Sequence, residues 1–284
     1  MKRVLLTGAD GQFGRDFTRL FAGRYAIVPF LEAETDLRDA DAVSAAVGKA
    51  EPDVVVHAAA WTRVDDAETE VDAAFAVNAL GTRHVAAATE AAGARLIAIS
   101  TDYVFDGALD RPYHEFDEPC PRTVYGASKL AGEREALRLC RRTTVVRTAW
   151  LYGTTGVNFP ATLVGLARRR GPDAPPLRVV DDQRGNPTTT FALARLVADL
   201  IERPTEGVVH GTCEGEATWH AFTVEVFRLL GLGPLPDPCT TAEFPRPAPR
   251  PANSRLDKMV LRLQNRPPMP HWKDALREWV EGIG

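Results

Sequence analysis

The sequence lacks the features that mark metal-binding, disulfide-rich and membrane proteins. Its four cysteines (Cys120, Cys140, Cys213 and Cys239) have neither metal-ligand nor redox spacing, which favours reduced thiols over a disulfide framework. The six histidines are scattered, so their spacing predicts no metal site. No apolar run approaches membrane-spanning length, and the segment MKRVLLTGAD has no signal-peptide core. We therefore expect a cytoplasmic protein without a membrane partner.

An excess of basic charge is also missing. The formal net charge is -4 and the pI is near 5.9, whereas a nucleic-acid-binding domain usually carries a basic stripe. We therefore expect no nucleic-acid partner. A chain of 284 residues with 45% hydrophobic and 25% charged residues is typical of a globular protein of one or two domains.

Strand-like and helix-like segments alternate over the first 150 residues. Five short apolar runs, each followed by a segment with helical spacing, are RVLLTG, YAIVPF, DVVVHAAA, ARLIAIS and TTVVRTAW. Strands that are apolar on both faces and separated by helices indicate a parallel sheet that is covered on both sides. The sequence therefore predicts an α/β fold with a doubly wound, parallel Rossmann sheet.

The pattern is less regular in the second half of the chain. It contains helix-like segments, short strands and a proline-rich stretch, GPLPDPCTTAEFPRPAPRPANS, which we expect to be an ordered surface loop because an apolar helix follows it. We predict a dinucleotide-binding domain over residues 1–150, to which about 180–205 return. Residues 151–284 are expected to form mainly a second, smaller mixed α/β lobe for the substrate.

Three glycines lie in the turn between the first strand and the first helix. Gly8 permits positive φ, Gly11 lets backbone approach a pyrophosphate, and Gly14 lets the helix pack closely on the strand. The N-terminus of that helix then offers free N–H groups to phosphates. A tight strand-to-helix turn without a ligand is the competing interpretation.

The choice between NAD and NADP stays open in the sequence. An acidic residue near the end of the second strand would bind the adenosine ribose of NAD, but that strand ends with Phe30 and Leu31 before Glu32. Asp36 and Leu37 could line the adenine, although Asp36 fits equally well as a helix cap. No arginine is an obvious partner for a 2′-phosphate.

Two further features lie near the same predicted edge of the sheet. The small residues of Ala58–Thr62 follow the third strand and suit close approach of a cofactor, or plain packing. Asn78 is a polar residue on the apolar stripe of a helix predicted over about Thr69 to Ala92. It could anchor nearby backbone or water, or be a satisfied core asparagine.

The segment TVYGASKLAGE places a phenol and an ammonium on one helical face. Tyr125 and Lys129 are four residues apart, and Thr101 ends the preceding strand. A lysine one turn away is expected to lower the phenol pKa from its usual value near 10. Tyr125 could then give a proton to a carbonyl oxygen, Thr101 could donate to the same oxygen, and Lys129 could hold the nicotinamide ribose.

Seven motifs spread over nearly the whole chain carry a family resemblance: GADGQFG, DVVVHAAAWTRVDDAE, STDYVFDG, YGASKLAGE, VRTAWLYG, DDQRGNPT and RPANSRLD. With them, the chain resembles the extended short-chain dehydrogenase/reductase superfamily. Within that superfamily it is similar to the dTDP-4-dehydrorhamnose reductase family.

The resemblance implies reduction of the 4-keto group of dTDP-6-deoxy-L-lyxo-4-hexulose to dTDP-L-rhamnose with NADP(H) or NAD(H). It implies that Tyr125 is the proton donor, Lys129 its helper and ribose ligand, and Thr101 the tuning hydroxyl. The residues implied to bind the cofactor are Gly11, Gln12 and Phe13 at the phosphates, Asp36 and Leu37 at the adenosine, and Ala60, Trp61 and Thr62 along its length. The residues implied to contact the sugar nucleotide are Thr101, Asp102 and Trp150.

Some members of the family form a magnesium-bridged dimer, and this sequence departs from their pattern. Asp16 could serve on the first helix, but Thr189, Thr190 and Phe191 follow the Pro-Thr pair where a carboxylate would be needed. We therefore expect no metal, and either a monomer or a homodimer.

Three other functions remain as alternatives. Another nucleotide-deoxysugar 4-ketoreductase would share the same catalytic residues. An epimerase would hold its NAD permanently. A dehydratase is not expected, because Tyr103 follows Asp102 where such an enzyme has a second acid. The regulatory subunit of methionine adenosyltransferase resembles the same fold without acting mainly as a reductase.

Overall fold

Six parallel strands form the central sheet of the structure, a computed structural model that describes residues 1–31, 33–170 and 174–283. Glu32, considered above for the adenosine ribose, lies outside the described residues. The strands are β1 (Arg3–Thr7), β2 (Ala26–Phe30), β3 (Val54–His57), β4 (Arg95–Thr101), β5 (Thr143–Thr148) and β10 (Gly207–His210). Their spatial order is β10-β5-β4-β3-β1-β2, with every neighbouring pair parallel. The predicted doubly wound sheet is confirmed.

The sheet is buried on both faces because alternate residues of each strand point to opposite sides. Val4 and Leu6 of β1 belong to one apolar core, whereas Leu5 between them belongs to another. Val54 and Val56 of β3 lie on the first side, and the intervening Val55 lies on the second. This explains why the strands are continuous apolar runs without polar alternation.

Helices cover both faces. The helices of the chain are α1 (Gln12–Phe21), α2 (Ala40–Ala50), α3 (Val64–Ala67), α4 (Val71–Phe75), α5 (Thr82–Ala91), α6 (Val124–Leu139), α7 (Phe159–Arg170), α8 (Thr190–Glu202), α9 (Trp219–Leu230), α10 (Met259–Leu263) and α11 (Trp272–Ile283). Helices α1 and α8 pack together on one face of the sheet, and α2, α5 and α6 share the core on the other. No helix among the described residues combines the length and apolarity needed to cross a membrane.

The long helix predicted from about Thr69 to Ala92 differs from the prediction at its centre. A π-helical turn, Ala76–Gly81, separates α4 from α5 and contains Asn78. Helix α6 crosses this turn closely, since a Cβ on Gly132 would lie 2.2 Å from the Asn78 carbonyl oxygen. Such wide turns are often found at functional sites, and this one carries the polar residue of the stripe.

The second half of the chain adds small sheets beside the central one. The short strands are β6 (Leu151–Tyr152), β7 (Arg178–Val180), β8 (Arg184–Gly185), β9 (Thr188–Thr189), β11 (Ala217–Thr218), β12 (Asp237–Cys239) and β13 (Asn253–Ser254). The proline-rich stretch is ordered, as predicted, because β12 pairs with β7 and β13 pairs with β8. The division of the chain into two domains stays a prediction.

Candidate active site

The carboxyl ends of β1, β3, β4 and β5 meet at one edge of the sheet, where ligands bind in open α/β folds. Gly8 follows β1, Ala58–Thr62 follows β3, Thr101 ends β4 and Trp150 lies two residues after β5. The predicted residues that follow these four strands therefore lie on one side of the molecule.

The glycine turn after β1 is built from close backbone contacts. Gly8 has φ +66°, and a Cβ there would lie 2.8 Å from the Ala59 nitrogen. A Cβ on Gly14 would lie 2.3 Å from the Gly8 carbonyl oxygen. Gly11 is the N-cap of α1 and brings no side chain to cap it, so the first N–H groups of α1 stay available to an anion. The turn fits the diphosphate of a dinucleotide.

Gln12 and Phe13 can serve that turn only through their backbone. The Phe13 ring is 5% exposed and belongs to the core. The Gln12 side chain is held by the loop after β6: its Oε1 accepts from Asn158 Nδ2 (3.0 Å) and from the Gly153 N–H (3.2 Å). Its Nε2 donates to the Val157 carbonyl at 3.3 Å. The side chain therefore supports the loop.

At the predicted adenosine end, Asp36 is paired with an arginine. Arg38 donates to the Asp36 carboxylate through Nε (2.9 Å), Nη2 (2.7 Å) and its backbone N–H (2.9 Å), and these bonds hold the pKa of Asp36 below its usual value. Leu37 faces the core, while its carbonyl is 2.9 Å from His84 Nδ1. Arg38 is a cation that the sequence analysis missed, although it lies only two positions after Asp36.

Asn78 anchors the segment after β3 and is at the same time a buried, satisfied asparagine, so both of its predicted roles are met. Its Oδ1 accepts from the Trp61 N–H at 2.8 Å, and its Nδ2 donates to the Trp61 carbonyl at 3.1 Å. Nδ2 also lies 3.0 Å from the Ser128 hydroxyl of α6. One amide thus joins the Ala58–Thr62 segment, the π-helical turn and α6, and leaves Trp61 and Thr62 at least partly exposed at the edge.

Helix α6 brings Tyr125 to the end of β4. Thr123 caps the helix by accepting from the Gly126 N–H at 3.0 Å. Gly126 has to be a glycine, because a Cβ there would lie 2.1 Å from the Tyr103 carbonyl oxygen. The Tyr125 ring meets the Tyr103 ring edge to face at 5.5 Å. The Tyr125 phenol is hydrogen-bonded to the Thr101 side chain.

The prediction that the pKa of the Tyr125 phenol is lowered is wrong. Burial raises the pKa of the phenol to about 12, and the hydrogen bond with Thr101 only partly offsets that rise. Lys129 Nζ donates to the Ile99 carbonyl at 2.8 Å, and Lys129 is not among the groups that act on the phenol. Burial also lowers the pKa of Lys129 to about 8. Desolvation, which the sequence does not display, outweighs the expected attraction between the two groups.

Asp102 is a buried carboxyl group beside this hydroxyl pair. It is 4% exposed, its Oδ1 accepts from the Thr101 hydroxyl at 3.1 Å, and Ser254 is hydrogen-bonded to it. Its Oδ2 has no hydrogen-bond partner among the described residues. Burial raises its pKa to about 6, against the lowering effect of the two hydroxyl groups. Ser254 lies in the motif RPANSRLD, from which the sequence analysis singled out no residue.

Trp150 lies between two groups that cover its faces. It has a left-handed backbone (φ 49°), and its indole stacks on that of Trp219 at 3.4 Å and 7°. On the other face, a Cβ on Gly185 would lie 2.3 to 2.7 Å from three indole atoms. Trp219 Nε1 donates to Gln183 Oε1 at 3.1 Å. The sequence analysis missed Trp219, because a tryptophan inside a helical pattern is most simply a core residue.

The Asp16 carboxylate is bound by other residues of this chain. It is 2% exposed, and its carboxylate accepts from the hydroxyl groups of Thr154 and Thr190 and pairs with Arg19 at 3.3 Å. Over the ranges that the structure describes, no cluster of three His, Cys, Asp or Glu side chains could hold a metal ion.

Comparisons with known proteins find similar chains over nearly the whole length. The family model described as "RmlD substrate binding domain" matches residues 1–283. A dTDP-4-dehydrorhamnose reductase of Streptomyces griseus is 45% identical, over 97% of this chain and 92% of that protein. A dTDP-4-keto-6-deoxy-D-glucose reductase of Streptomyces niveus is 39% identical, over 97% of this chain and 96% of that protein.

A solved structure gives the same result for the fold. The dTDP-4-dehydrorhamnose reductase of Bacillus anthracis, in complex with NADP, matches with a TM-score of 0.95 at 37% identity. The match covers 99% of both chains. Sequence and fold therefore agree over nearly the whole length.

Proposed function

This chain belongs to the RmlD substrate-binding-domain family, and from that premise we propose that it reduces the 4-keto group of dTDP-6-deoxy-L-lyxo-4-hexulose to dTDP-L-rhamnose. The reductant is NADPH or NADH, in keeping with the relative that binds NADP. The observation that carries the proposal is the assembly of Thr101, Tyr125 and Lys129 at the ligand-binding edge of the sheet.

Tyr125 is the proton donor. With a pKa of about 12, the phenol carries its proton at neutral pH, as a general acid must, although a pKa nearer the working pH would make it a stronger donor. The one proton of the Thr101 hydroxyl goes to Asp102 Oδ1 in the free protein, and on substrate binding it turns to the same substrate oxygen as negative charge develops there. The reduced nicotinamide, when bound, supplies the hydride that the carbonyl carbon gains.

Lys129 holds the cofactor ribose. An ammonium has three N–H donors, and the Ile99 carbonyl takes one of them. The others can bind ribose hydroxyl groups next to Tyr125. The glycine turn after β1 and the N-terminus of α1 take the cofactor phosphates, with Gly8, Gly11 and Gly14 allowing the approach.

Asp102 and Trp150 contribute to the sugar-nucleotide side of the site. The Oδ2 of Asp102 is buried and without a partner among the described residues, so a sugar hydroxyl that donates to it removes an unfavourable state. Trp150 presents an indole edge, because Trp219 and Gly185 cover its two faces. We propose that this edge limits the space around the deoxysugar.

The test is a product assay. The purified protein is incubated with enzymatically generated dTDP-4-keto-6-deoxy sugar and either NADPH or NADH, and the product is identified by NMR. We expect stoichiometric consumption of the reduced cofactor and formation of dTDP-L-rhamnose. A protein that carries tightly bound NAD and consumes no added cofactor would be an epimerase instead.

A second candidate is supported by the Streptomyces niveus relative, named dTDP-4-keto-6-deoxy-D-glucose reductase. Such an enzyme would use the same proton donor on a sugar of different stereochemistry. The two sugars, offered separately, distinguish the candidates by the ratio of kcat/KM and by the configuration of the product at C4.

Two further proposals concern the setting of the enzyme. We propose that it works in the cytoplasm, and as a monomer or a homodimer. Light scattering after size-exclusion chromatography, with and without EDTA, gives the oligomeric state and shows whether a metal ion is needed for it.

A further inference from the structure

Three consecutive residues at the end of β4 meet three residues on one face of α6. The Ile99 carbonyl accepts from Lys129 Nζ at 2.8 Å. The Ser100 hydroxyl donates to Glu133 Oε1 at 2.5 Å, and Thr101 is hydrogen-bonded to Tyr125. Since Tyr125, Lys129 and Glu133 are spaced at i, i+4 and i+8, they share one helical face. Two of the three belong to the proposed catalytic set, and Glu133 has no role there.

Glu133 is held in place by a buried arginine on the next strand. Arg147 pairs with Ser100 across β4 and β5. Its Nη2 donates to Glu133 Oε2 at 2.7 Å, and its Nε lies 3.0 Å from Oε1 and 3.2 Å from Oε2. Both side chains are 4% exposed.

A buried ion pair of this kind is expensive to desolvate and is weak evidence for stability. Apolar side chains of similar volume would fill the same space between α6 and the sheet at no greater cost in the free energy of folding. The position of this pair, one helical turn beyond Lys129, points instead to an electrostatic effect on that ammonium.

The charges around Lys129 come from three elements. On α6 itself, Glu133 lies one turn away and Tyr125 one turn back, the latter neutral. On β3, His57 is buried, and burial together with the Lys129 charge lowers its pKa to about 3, so it is neutral as well. Arg147 on β5 lies behind Glu133. Burial lowers the pKa of Lys129, and the Glu133 carboxylate is the group that opposes this effect.

Asp102 is a second buried carboxyl group, on the turn after β4, and it is not among the groups that act on Lys129. Its charge acts on the phenols of Tyr103 and Tyr125, and Ser254 and Thr101 are bonded to it. The negative charge that acts on Lys129 is therefore that of Glu133.

We propose that Glu133 is a positioning residue that acts through Lys129: its carboxylate, fixed by Ser100 and Arg147, locks α6 in register on β4 and holds a negative charge one helical turn from the Lys129 ammonium. The inference rests on the proposed function for the importance of Lys129, but the link between the two side chains does not.

The test is a titration of the lysine side chains by NMR, in protein without cofactor or substrate. The chain has five lysines, so carbon-13 labelling gives few signals, and the signal absent from K129M is that of Lys129. We expect E133Q to lower the titration midpoint of Lys129 by about one pH unit, because a neutral amide no longer opposes desolvation. E135Q, which removes a partly exposed carboxylate of the same helix that pairs with Arg83 and Arg138, is the matched control and should leave the midpoint unchanged.

R147M separates an electrostatic role from a structural one. It removes the opposite charge of the same pair, so the midpoint of Lys129 should stay the same or rise. A fall equal to that in E133Q would mean that both changes merely loosen the contact between α6 and the sheet, and would overturn the proposal. An unchanged midpoint in E133Q would overturn it as well.

The double variant E133Q/R147M decides the question if E133Q alone does not fold. It leaves no unpaired buried charge, and such neutral replacements are well tolerated. A lowered Lys129 midpoint in the double variant supports the proposal, and an unchanged one overturns it. In an active enzyme, the apparent pKa of the alkaline limb of the kcat/KM pH profile should fall together with the titration midpoint of Lys129. A wild-type protein that reduces no 4-keto sugar would overturn the proposed function, yet the NMR result would still decide the role of Glu133.

Discussion

The two ends of the ligand-binding edge are built by opposite means. At the turn after β1 the chain offers backbone: Gly8 and Gly14 bring main chain close to main chain, the Phe13 ring lies in the core, and the Gln12 side chain bonds to the loop after β6. At the end of β4 it offers functional groups, with Tyr125 and Lys129 held among hydroxyl groups and a carbonyl. The first end therefore depends on the absence of side chains, and the second on their chemistry.

The sharpest distinction between the two ends is expected from Y125F. The variant keeps the ring and its contact with Tyr103 but removes the proton donor, so kcat should fall by about 10²- to 10⁴-fold. Affinity for the reduced cofactor, measured by fluorescence titration, should change little. Full turnover in Y125F would remove the phenol from the mechanism.

The pH dependence of the free energy of unfolding tests whether the Asp102 carboxyl group, at the second end, is desolvated. Burial raises the pKa of Asp102 from 3.8 to about 6, so the folded protein binds this proton more tightly than the unfolded chain does. Stability should therefore fall as the pH rises from about 4 to about 6, by up to about 3 kcal/mol for this group. D102N should lack that part of the fall.

The free energies of unfolding of the wild type and of D102N are measured with urea between pH 4 and 8. All other groups titrate in both proteins, so the difference between the two curves reports Asp102. Curves of unfolding free energy that run parallel across this range would show that the Asp102 carboxyl is not desolvated.

Adding one methyl group at Gly14 should destabilise the turn after β1. In G14A the new Cβ meets backbone atoms of Gly8 and Ala9 at 2.3 to 2.7 Å, and such overpacking typically costs about 1–3 kcal/mol. Cofactor affinity should fall because the turn must open. The matched control is G48A, where a Cβ meets nothing within 4 Å. Equal effects of the two changes would contradict the tight turn.

The smallest effect is expected where a side chain is removed from that same end. Q12A leaves the backbone N–H of the first turn in place and deletes only the hydrogen bonds to Asn158, Gly153 and Val157. A partly exposed set of this kind contributes about 1 kcal/mol per bond at most. We expect cofactor affinity close to that of the wild type. A large loss would mean that the Gln12 amide itself binds the cofactor.

The sequence predicts the parts of this protein that local patterns determine. The apolar runs around Leu5, Val55 and Val146 mark buried parallel strands. The cap of α2 is Asp39, not Asp36, and it accepts from the N–H groups of Asp41 and Ala42. Tyr125 and Lys129 could be predicted as site residues because their spacing equals a helical turn and their context is a strand followed by a helix.

Local patterns could not predict the features that depend on contacts between distant segments of the chain. The π-helical turn around Asn78 changes the helical period over only six residues, too few to alter a 3.6-residue pattern visibly. The contacts of Glu133 with Arg147, and of Trp150 with Trp219, depend on which elements become neighbours. The pKa of Tyr125 was mispredicted because burial is a property of the folded chain.

The stacked indoles of Trp150 and Trp219 give the protein an optical reporter of its own. Electronic transitions of two parallel rings at 3.4 Å couple, so the pair should contribute an exciton band to the near-ultraviolet circular dichroism. A ligand that presses on the free edge of one ring would alter that band without any attached dye. Spectroscopy could thus follow occupancy of the proposed sugar site even in variants that no longer turn over.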